Sequence, residues 1–136
     1  MASTPAELYA RAKDVRRQAY APYSRFEVGA ALLTIDGRIF TGVNVENASY
    51  STTVCAERAA LAAAVTAGAR AFSAIAIAGP PGARTPPCGA CRQALAEFGE
   101  SLIVIFGDEN EGLIEMRLDE LLPQAFHLPG AREVRR

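Results

Sequence analysis

The sequence predicts a layered α/β fold, because segments with helical and with strand periodicity alternate along the chain in the order α-β-β-α-β-α-β-β. Its 136 residues fit a single domain, which we expect to span residues 1–136. Apolar residues make up 50% of the chain and charged residues 21%, as is ordinary for a globular protein. This composition excludes a disordered chain and allows a core that needs no disulfide bonds.

The first predicted helix begins after Thr4. Pro5 suits the first helical position, and Glu7 stands three residues after Thr4, as a capping box requires. Apolar residues at helical spacing extend the helix to about Tyr20.

A hairpin is predicted next, because Asp36-Gly37 is a strong two-residue turn signal between strands at 26–35 and 38–44. A polar loop at 47–53 then leads to an Ala-rich helix at 56–67. The remaining elements alternate strand and helix again and end in a tail that we expect to be mobile: a strand at 71–78, a Pro-rich loop at 79–87, a helix at 89–98, strands at 102–106 and 112–118, a helical turn at 119–122, and the tail at about 127–136.

The overall charge argues against a protein built to hold nucleic acid. Fourteen basic and fifteen acidic residues leave a formal charge of −1, whereas phosphate backbones require a basic surface. No apolar run approaches the ~20 residues of a membrane span, and the first residues lack the features of a secretory signal. We therefore expect a cytoplasmic protein, without membrane or nucleic-acid partners, whose three cysteines are reduced.

The three cysteines carry the strongest chemical signal. Cys88 and Cys91 form a C-x-x-C pair at a predicted helix start, and Cys55 stands at the start of another helix. Helix N-termini favour thiolates, and three thiolates suit Zn²⁺. The single histidine, His127, lies far along the chain in a Pro-bounded tail. The ligand count therefore favours three cysteines and one open position, as in catalytic zinc sites.

Glu57 and Arg58 follow Cys55 in the first turn of the same predicted helix. A carboxylate beside the open metal position can take a proton from water and return it to a leaving amine. The order C-A-E followed by P-C-G-A-C also fits the zinc-deaminase signature in its three-cysteine form. Because three thiolates give Zn²⁺ a net negative charge, we expect Arg58 to donate hydrogen bonds to one or two of the sulfurs.

Four segments together are far more specific than a C-x-x-C pair. They are Tyr23-Ser24-Arg25-Phe26-Glu27-Val28-Gly29-Ala30-Ala31, Gly42-Val43-Asn44-Val45-Glu46-Asn47-Ala48-Ser49-Tyr50, Cys55-Ala56-Glu57-Arg58, and Pro87-Cys88-Gly89-Ala90-Cys91-Arg92-Gln93. With them the sequence resembles the small, homotetrameric type of cytidine deaminase, a zinc enzyme family of pyrimidine salvage, from the first helix to about Phe126.

The resemblance implies a three-layer α/β/α sandwich around a mixed five-stranded sheet, one Zn²⁺ per chain and a homotetramer with sites shared between subunits. It implies hydrolysis of cytidine and 2′-deoxycytidine to uridine and 2′-deoxyuridine, with hydroxide on zinc attacking C4. By matching position it implies these roles: zinc ligation by Cys55, Cys88 and Cys91; proton transfer by Glu57; ribose contacts by Asn44 and Glu46; packing against the pyrimidine by Phe26; substrate contact by Ala56; contact with a neighbour's 5′-hydroxyl by Ala48 and Tyr50; and closure of a neighbour's pocket by Phe126.

Other interpretations stay open at this point. The three cysteines could form a structural zinc site completed by His127 in a binding module, and a test is whether His127→Ala releases zinc. Cys88 and Cys91 by themselves could be a structural zinc knuckle or a redox pair. Among enzymes, the alternative is an aminohydrolase for a modified cytosine nucleoside, such as a blasticidin-type antibiotic. Asn44 and Glu46 could also be an ordinary polar strand end, and Arg58 a solvated helix residue.

Overall fold

Five strands form one mixed sheet, and the computed structural model describes residues 3–108 and 110–129 of the chain. The strands lie in the order β2-β1-β3-β4-β5, with β3 and β4 parallel and the other neighbours antiparallel. The element order is as predicted: α1 (Pro5–Arg16), β1 (Gly29–Thr34), β2 (Ile39–Val43), a 3₁₀ turn (Tyr50–Thr52), α2 (Ala56–Thr66), β3 (Phe72–Ala78), α3 (Gly89–Ala96), β4 (Ile103–Asp108), β5 (Gly112–Arg117) and α4 (Leu118–Leu121).

Helices cover both faces of the sheet, which confirms the expected three-layer arrangement. On one face α1 packs Leu8 and Ala12 against inward residues of β1, β3 and β4. On the other face α2 and α3 pack against alternate residues of the same strands. The strand β1 and residues 75–78 of β3 are buried on both faces, as expected for the centre of such a sandwich.

The helix α1 ends at Arg16, so its predicted extension to Tyr20 is wrong. The capping box at Thr4 and Glu7 is present as predicted. Beyond Arg16 the backbone leaves the helix because Tyr20 pairs with another segment: its N–H donates to the Asn44 carbonyl, and its carbonyl accepts from the N–H of Glu46. A pairing partner 24 residues away outweighs local helical propensity.

The strand β1 begins at Gly29 rather than at the predicted Phe26. The side chain of Asn44 takes the place of a partner strand for the residues before it. Its Oδ1 accepts from the Val28 N–H, and its Nδ2 donates to the Phe26 carbonyl. A side chain that satisfies both backbone groups leaves these residues as a loop.

Gly42 brings β2 close to α2. A Cβ atom at residue 42 would lie 2.6 Å from the Ala56 carbonyl oxygen and 2.9 Å from the Ala59 Cβ. Only a hydrogen atom fits there, so glycine sets the distance between this strand and the first turns of α2. That helix carries Glu57, so the position of β2 determines where Glu57 lies.

The predicted mobile tail at about 127–136 falls mostly outside the described residues, which end at residue 129. The prediction of a single domain over residues 1–136 stays a prediction. Within residues 3–108 and 110–129, no helix is long and apolar enough to cross a membrane.

Candidate active site

The three cysteines converge at the start of two neighbouring helices. Cys55 is the N-cap residue of α2, Cys88 is the N-cap residue of α3, and Cys91 lies in the first turn of α3. Their sulfur atoms all lie within 4.8 Å of one another. The helix N-termini place partial positive charge at the cluster, which favours thiolates.

The cluster stabilises a thiolate at Cys55. The pKa of Cys55 falls to about 5, chiefly because the Cys91 thiol donates to it and because the Arg58 guanidinium lies beside it. The hydrogen bond to Cys55 first, and burial second, raise the pKa of Cys91, whose side chain has no exposed surface. The Arg58 Nη2 lies 3.5 Å from the Cys55 sulfur, and its buried Nε has no hydrogen-bond partner in the described part of the chain.

The carboxyl group of Glu57 is buried next to the cysteines, with 5% of the residue exposed. Burial raises its pKa, and the negative charge of Cys55 raises it further. A carboxyl group in this state gains and loses a proton nearer to neutral pH than an exposed one, as a general acid–base requires. A first-turn glutamate also interacts favourably with the helix dipole, but that interaction does not require burial.

The donor set fits Zn²⁺. Zinc–sulfur bonds of about 2.3 Å in tetrahedral geometry place ligand sulfurs about 3.8 Å apart. The sulfurs of Cys55 and Cys88 are 3.9 Å apart. Three soft thiol donors at this spacing match zinc rather than Mg²⁺ or Ca²⁺, which prefer oxygen ligands.

Asn44 and Glu46 lie beside the cysteines because their segment pairs with the residue before Cys55. Val45 and Val54 exchange two backbone hydrogen bonds, of 2.9 and 3.0 Å. The side chains of Asn44 and Glu46 then reach the loop before β1. Glu46 accepts from the backbone N–H groups of Tyr23 and Ser24 and from the Ser24 hydroxyl, and these contacts lower its pKa.

The same region contains a cavity of about 340 Å³, a size within the usual range of small-molecule sites. The ring of Tyr50 packs edge-on against Tyr23, with centroids 5.9 Å apart. The structure therefore brings Glu46 and Tyr50 together. The cavity is lined by Tyr23, Ser24, Glu46, Tyr50 and Thr53.

The other predicted substrate residues differ in where they lie. Phe26 in the loop before β1 is 41% exposed, and Tyr50 is 73% exposed. Phe126 follows α4 and is 67% exposed, and it does not line the cavity of Glu46. Ala48 is exposed in the loop before the 3₁₀ turn, whereas Ala56 is fully buried at the start of α2.

Arg92 and Gln93 are structural residues of the site that the sequence did not single out. Arg92 donates from Nε to the Pro87 carbonyl and from Nη1 to the Leu121 carbonyl, both at 2.8 Å. Gln93 donates to the Phe126 carbonyl at 2.9 Å. These contacts tie the cysteine-bearing start of α3 to the segment around α4. Their position directly after Cys91 is a signal that could have indicated them.

His127 lies in another part of the fold. Its Nε2 is 3.1 Å from the Glu100 carboxylate, where it lines a separate polar depression with Arg117 and Asp119. Among the described residues, the group of potential metal ligands at the site consists of the three cysteines. The geometry thus offers no support for a zinc site completed by His127.

The comparison with known families agrees with this geometry. The family model described as "Cytidine and deoxycytidylate deaminase zinc-binding region" matches residues 2–107. The chain belongs to the cytidine and deoxycytidylate deaminase family. The Zn²⁺ prediction is confirmed by the zinc-binding region of this deaminase family together with the cluster of three cysteines.

Several deaminases resemble the chain over most of its length. A cytidine deaminase of Sporosarcina psychrophila is 47% identical over 121 residues, which cover 88% of this chain and 89% of the relative. The crystal structure of a cytidine deaminase from Burkholderia pseudomallei matches with a TM-score of 0.86 and 47% identity, covering 91% of this chain and all of that one. A blasticidin-S deaminase of Bacillus cereus is 30% identical over 108 residues, covering 74% of this chain and 76% of the relative.

Proposed function

We propose that this protein hydrolyses cytidine and 2′-deoxycytidine to uridine and 2′-deoxyuridine, with release of ammonia. The observation that carries the proposal is the buried carboxyl group of Glu57 beside three clustered cysteine sulfurs. The similarity to cytidine deaminases along most of the chain supports the same substrate class.

In the proposed mechanism Cys55, Cys88 and Cys91 hold one Zn²⁺ per chain. When bound, the metal would lower the pKa of water and so favour the hydroxide that attacks C4 of the cytosine ring. Glu57 takes a proton from the attacking water and delivers it to N3. It then takes the proton of the new C4 hydroxyl and delivers it to the amino group, which leaves as ammonia while C4 becomes a carbonyl. The raised pKa of Glu57 suits both directions of transfer. Arg58 favours the thiolate form of Cys55 through its guanidinium group.

The proposed nucleoside site uses residues around the loop before β1. Asn44 and Glu46 would bind sugar hydroxyls, Phe26 would pack against the base, and the start of α2 at Ala56 would line the pocket. The Ser24 hydroxyl, and after it the backbone N–H groups of Ser24 and Tyr23, lower the pKa of Glu46. Its carboxylate is therefore negatively charged at neutral pH and repels a phosphate group. We therefore expect nucleosides to be preferred to nucleotides and to polynucleotides.

We also propose a homotetramer whose sites are shared between subunits. The support is the exposure of three aromatic side chains that a single chain leaves open to solvent: Phe26, Tyr50 and Phe126. In the tetramer Ala48 and Tyr50 would reach the 5′-hydroxyl in a neighbouring subunit, and Phe126 would close a neighbour's pocket. A reducing compartment such as the cytoplasm suits the free thiols, and salvage of pyrimidine nucleosides suits the reaction.

A substrate panel tests the proposal. Purified protein is incubated with cytidine, 2′-deoxycytidine, cytidine monophosphate and blasticidin S, and ammonia release is measured for each. We expect release from the two nucleosides and little from the phosphorylated compound. Ammonia release from blasticidin S alone would instead support an aminohydrolase for modified cytosine nucleosides. The 30% identity to the Bacillus cereus enzyme is the observation that keeps this second candidate in view.

A further inference from the structure

A serine in the loop before β1 connects two residues of the proposed nucleoside site. The Ser24 hydroxyl donates a hydrogen bond to Glu46 Oε2 and accepts one from the Phe26 backbone N–H at 3.0 Å. A serine hydroxyl has one hydrogen and two lone pairs, so a single side chain can make both bonds at once. Among the hydrogen bonds of the described residues, no other side chain joins the Glu46 carboxylate to the backbone of Phe26.

The loop adopts a conformation that needs such support. Arg25, between Ser24 and Phe26, has a φ of 60°, which is the left-handed region that residues other than glycine seldom occupy. The loop is held on both sides of Arg25. Glu46 binds the N–H groups of Tyr23 and Ser24 at 2.9 and 3.1 Å, and Asn44 Nδ2 donates to the Phe26 carbonyl at 2.7 Å.

The hydrogen bonds at Glu46 leave room for a ligand. A carboxylate accepts about four hydrogen bonds, two at each oxygen. Oε1 already accepts two backbone N–H groups, and Oε2 accepts the Ser24 hydroxyl. One acceptor direction at Oε2 is left, and Ser24 occupies the other. With Oε1 held by the two N–H groups, Ser24 therefore determines which acceptor direction of Oε2 stays free for a further donor.

We propose that Ser24 is a positioning residue of the nucleoside site. Its hydroxyl fixes Oε2 of Glu46 for a sugar hydroxyl and, through the same group, fixes the backbone of Phe26 and hence the ring that packs against the base. Ser24 itself need not touch the substrate. This inference rests on the proposed function, because it assumes that Glu46 and Phe26 contact a nucleoside.

Steady-state kinetics of Ser24→Ala test the proposal. We expect the KM for cytidine to rise about tenfold, the factor associated with loss of one hydrogen bond to a charged group, with kcat changed less than about threefold. Ser24→Thr keeps the hydroxyl and should restore most of the affinity. Ser101→Ala is the matched control, because Ser101 is exposed, lies in another loop and makes no side-chain hydrogen bond in the described residues.

A substrate without the 2′- and 3′-hydroxyls separates positioning from general damage. 2′,3′-Dideoxycytidine keeps the 5′-hydroxyl but offers Glu46 no 2′- or 3′-hydroxyl to bind, so Ser24→Ala should lower kcat/KM much less than it does with cytidine. The same loss of kcat/KM for both substrates would show that Ser24 does not act through Glu46. A KM for cytidine within about twofold of the wild-type value would also overturn the proposal.

Amide hydrogen exchange gives a second test that does not need the alanine variant to fold. The Phe26 N–H should exchange slowly in the wild type and in Ser24→Thr, and rapid exchange in folded wild-type protein would contradict the contact. Failure of the proposed function has a different signature. A wild-type protein that does not convert cytidine refutes the function, whereas an active wild type with an unchanged Ser24→Ala variant refutes the role of Ser24 alone.

Discussion

Gly42→Ala tests how closely the sheet sets the position of the candidate site. The added Cβ would lie 2.6 Å from the Ala56 carbonyl oxygen and 2.9 Å from the Ala59 Cβ, and closer still to the Ala60 nitrogen. The lower limit of ordinary contact is 3.4 Å, so α2 must move away by at least about 0.8 Å. Two of these three neighbours are backbone atoms, which cannot rotate aside.

The expected cost is near the upper end of the range for overpacked cores, about 3 kcal/mol. For a chain of this size that corresponds to a melting temperature lower by about 10 °C. The movement also displaces Cys55 and Glu57 at the N-terminus of α2. A shift of about 0.8 Å is large beside a zinc–sulfur bond of about 2.3 Å, so zinc content and kcat should fall with stability.

The assay is thermal unfolding by circular dichroism, with zinc per chain and turnover of cytidine measured on the same preparations. Gly89→Ala is the matched control for stability alone, since residue 89 lies between Cys88 and Cys91. Apart from its chain neighbours and its own helix, a Cβ there meets no atom within 4 Å, and alanine has the higher helical propensity. We expect Gly89→Ala to melt at or above the wild-type temperature. A Gly42→Ala variant that melts within about 2 °C of the wild type and keeps its zinc would refute the reasoning.

Three further predictions concern charge and metal. Arg58→Gln removes the cation beside the Cys55 sulfur, so the pKa of that thiol rises. We expect weaker zinc retention, or an acid limb of the pH–rate profile that moves to higher pH. An unchanged pH–rate profile with full zinc content would exclude this role of Arg58. Arg84→Gln removes the partner that holds the pKa of Asp108 down, and that carboxylate stabilises the fold above its unfolded pKa of about 3.9. Arg84→Gln should therefore melt at a lower temperature than the wild type at pH 7, and this difference in melting temperature should vanish as the pH falls through the depressed pKa of Asp108. Arg11→Gln, on the exposed face of α1, serves as the control. A difference in melting temperature that persists in acid would contradict the pairing of Arg84 with Asp108. Finally, a chelator should abolish turnover of cytidine and lower the melting temperature. Zn²⁺ but not Mg²⁺ should restore both, because thiol ligands discriminate against Mg²⁺. Recovery of turnover with Mg²⁺ would contradict this prediction.

The fold was predictable to the level of element order, because helical and strand periodicities are local properties of the sequence. The capping box at Thr4 and the hairpin at Asp36-Gly37 show this, since each depends on residues that are adjacent in the chain. The ends of elements were less predictable. Tyr20 leaves the helix and Phe26 stays out of the strand because both pair with groups around Asn44, and such distant pairings have no local signature.

The chemistry of the site was predictable for a different reason. Cysteines at helix starts and a glutamate two residues after one of them indicate a metal-ligand set and a candidate proton acceptor without knowledge of the fold. The structure contains the cysteine cluster, and the proton-transfer role of Glu57 stays a prediction. Spacing did not reveal the roles of Ser24 and Arg92. Their side chains are ordinary polar groups in the sequence, and only the folded chain places one against Glu46 and the other against two backbone carbonyls.

The measurement that tests the central claim most directly is the ultraviolet absorbance of cytidine mixed with the wild-type protein and, in parallel, with Glu57→Gln. Glutamine keeps the size of the buried side chain but cannot transfer the proton. We predict loss of cytidine absorbance with the wild type, a rate about 10² to 10⁴ times lower with the variant, and one zinc per chain in both. Equal rates for the two proteins, or zinc-loaded wild type that leaves cytidine and 2′-deoxycytidine unchanged, would contradict the claim.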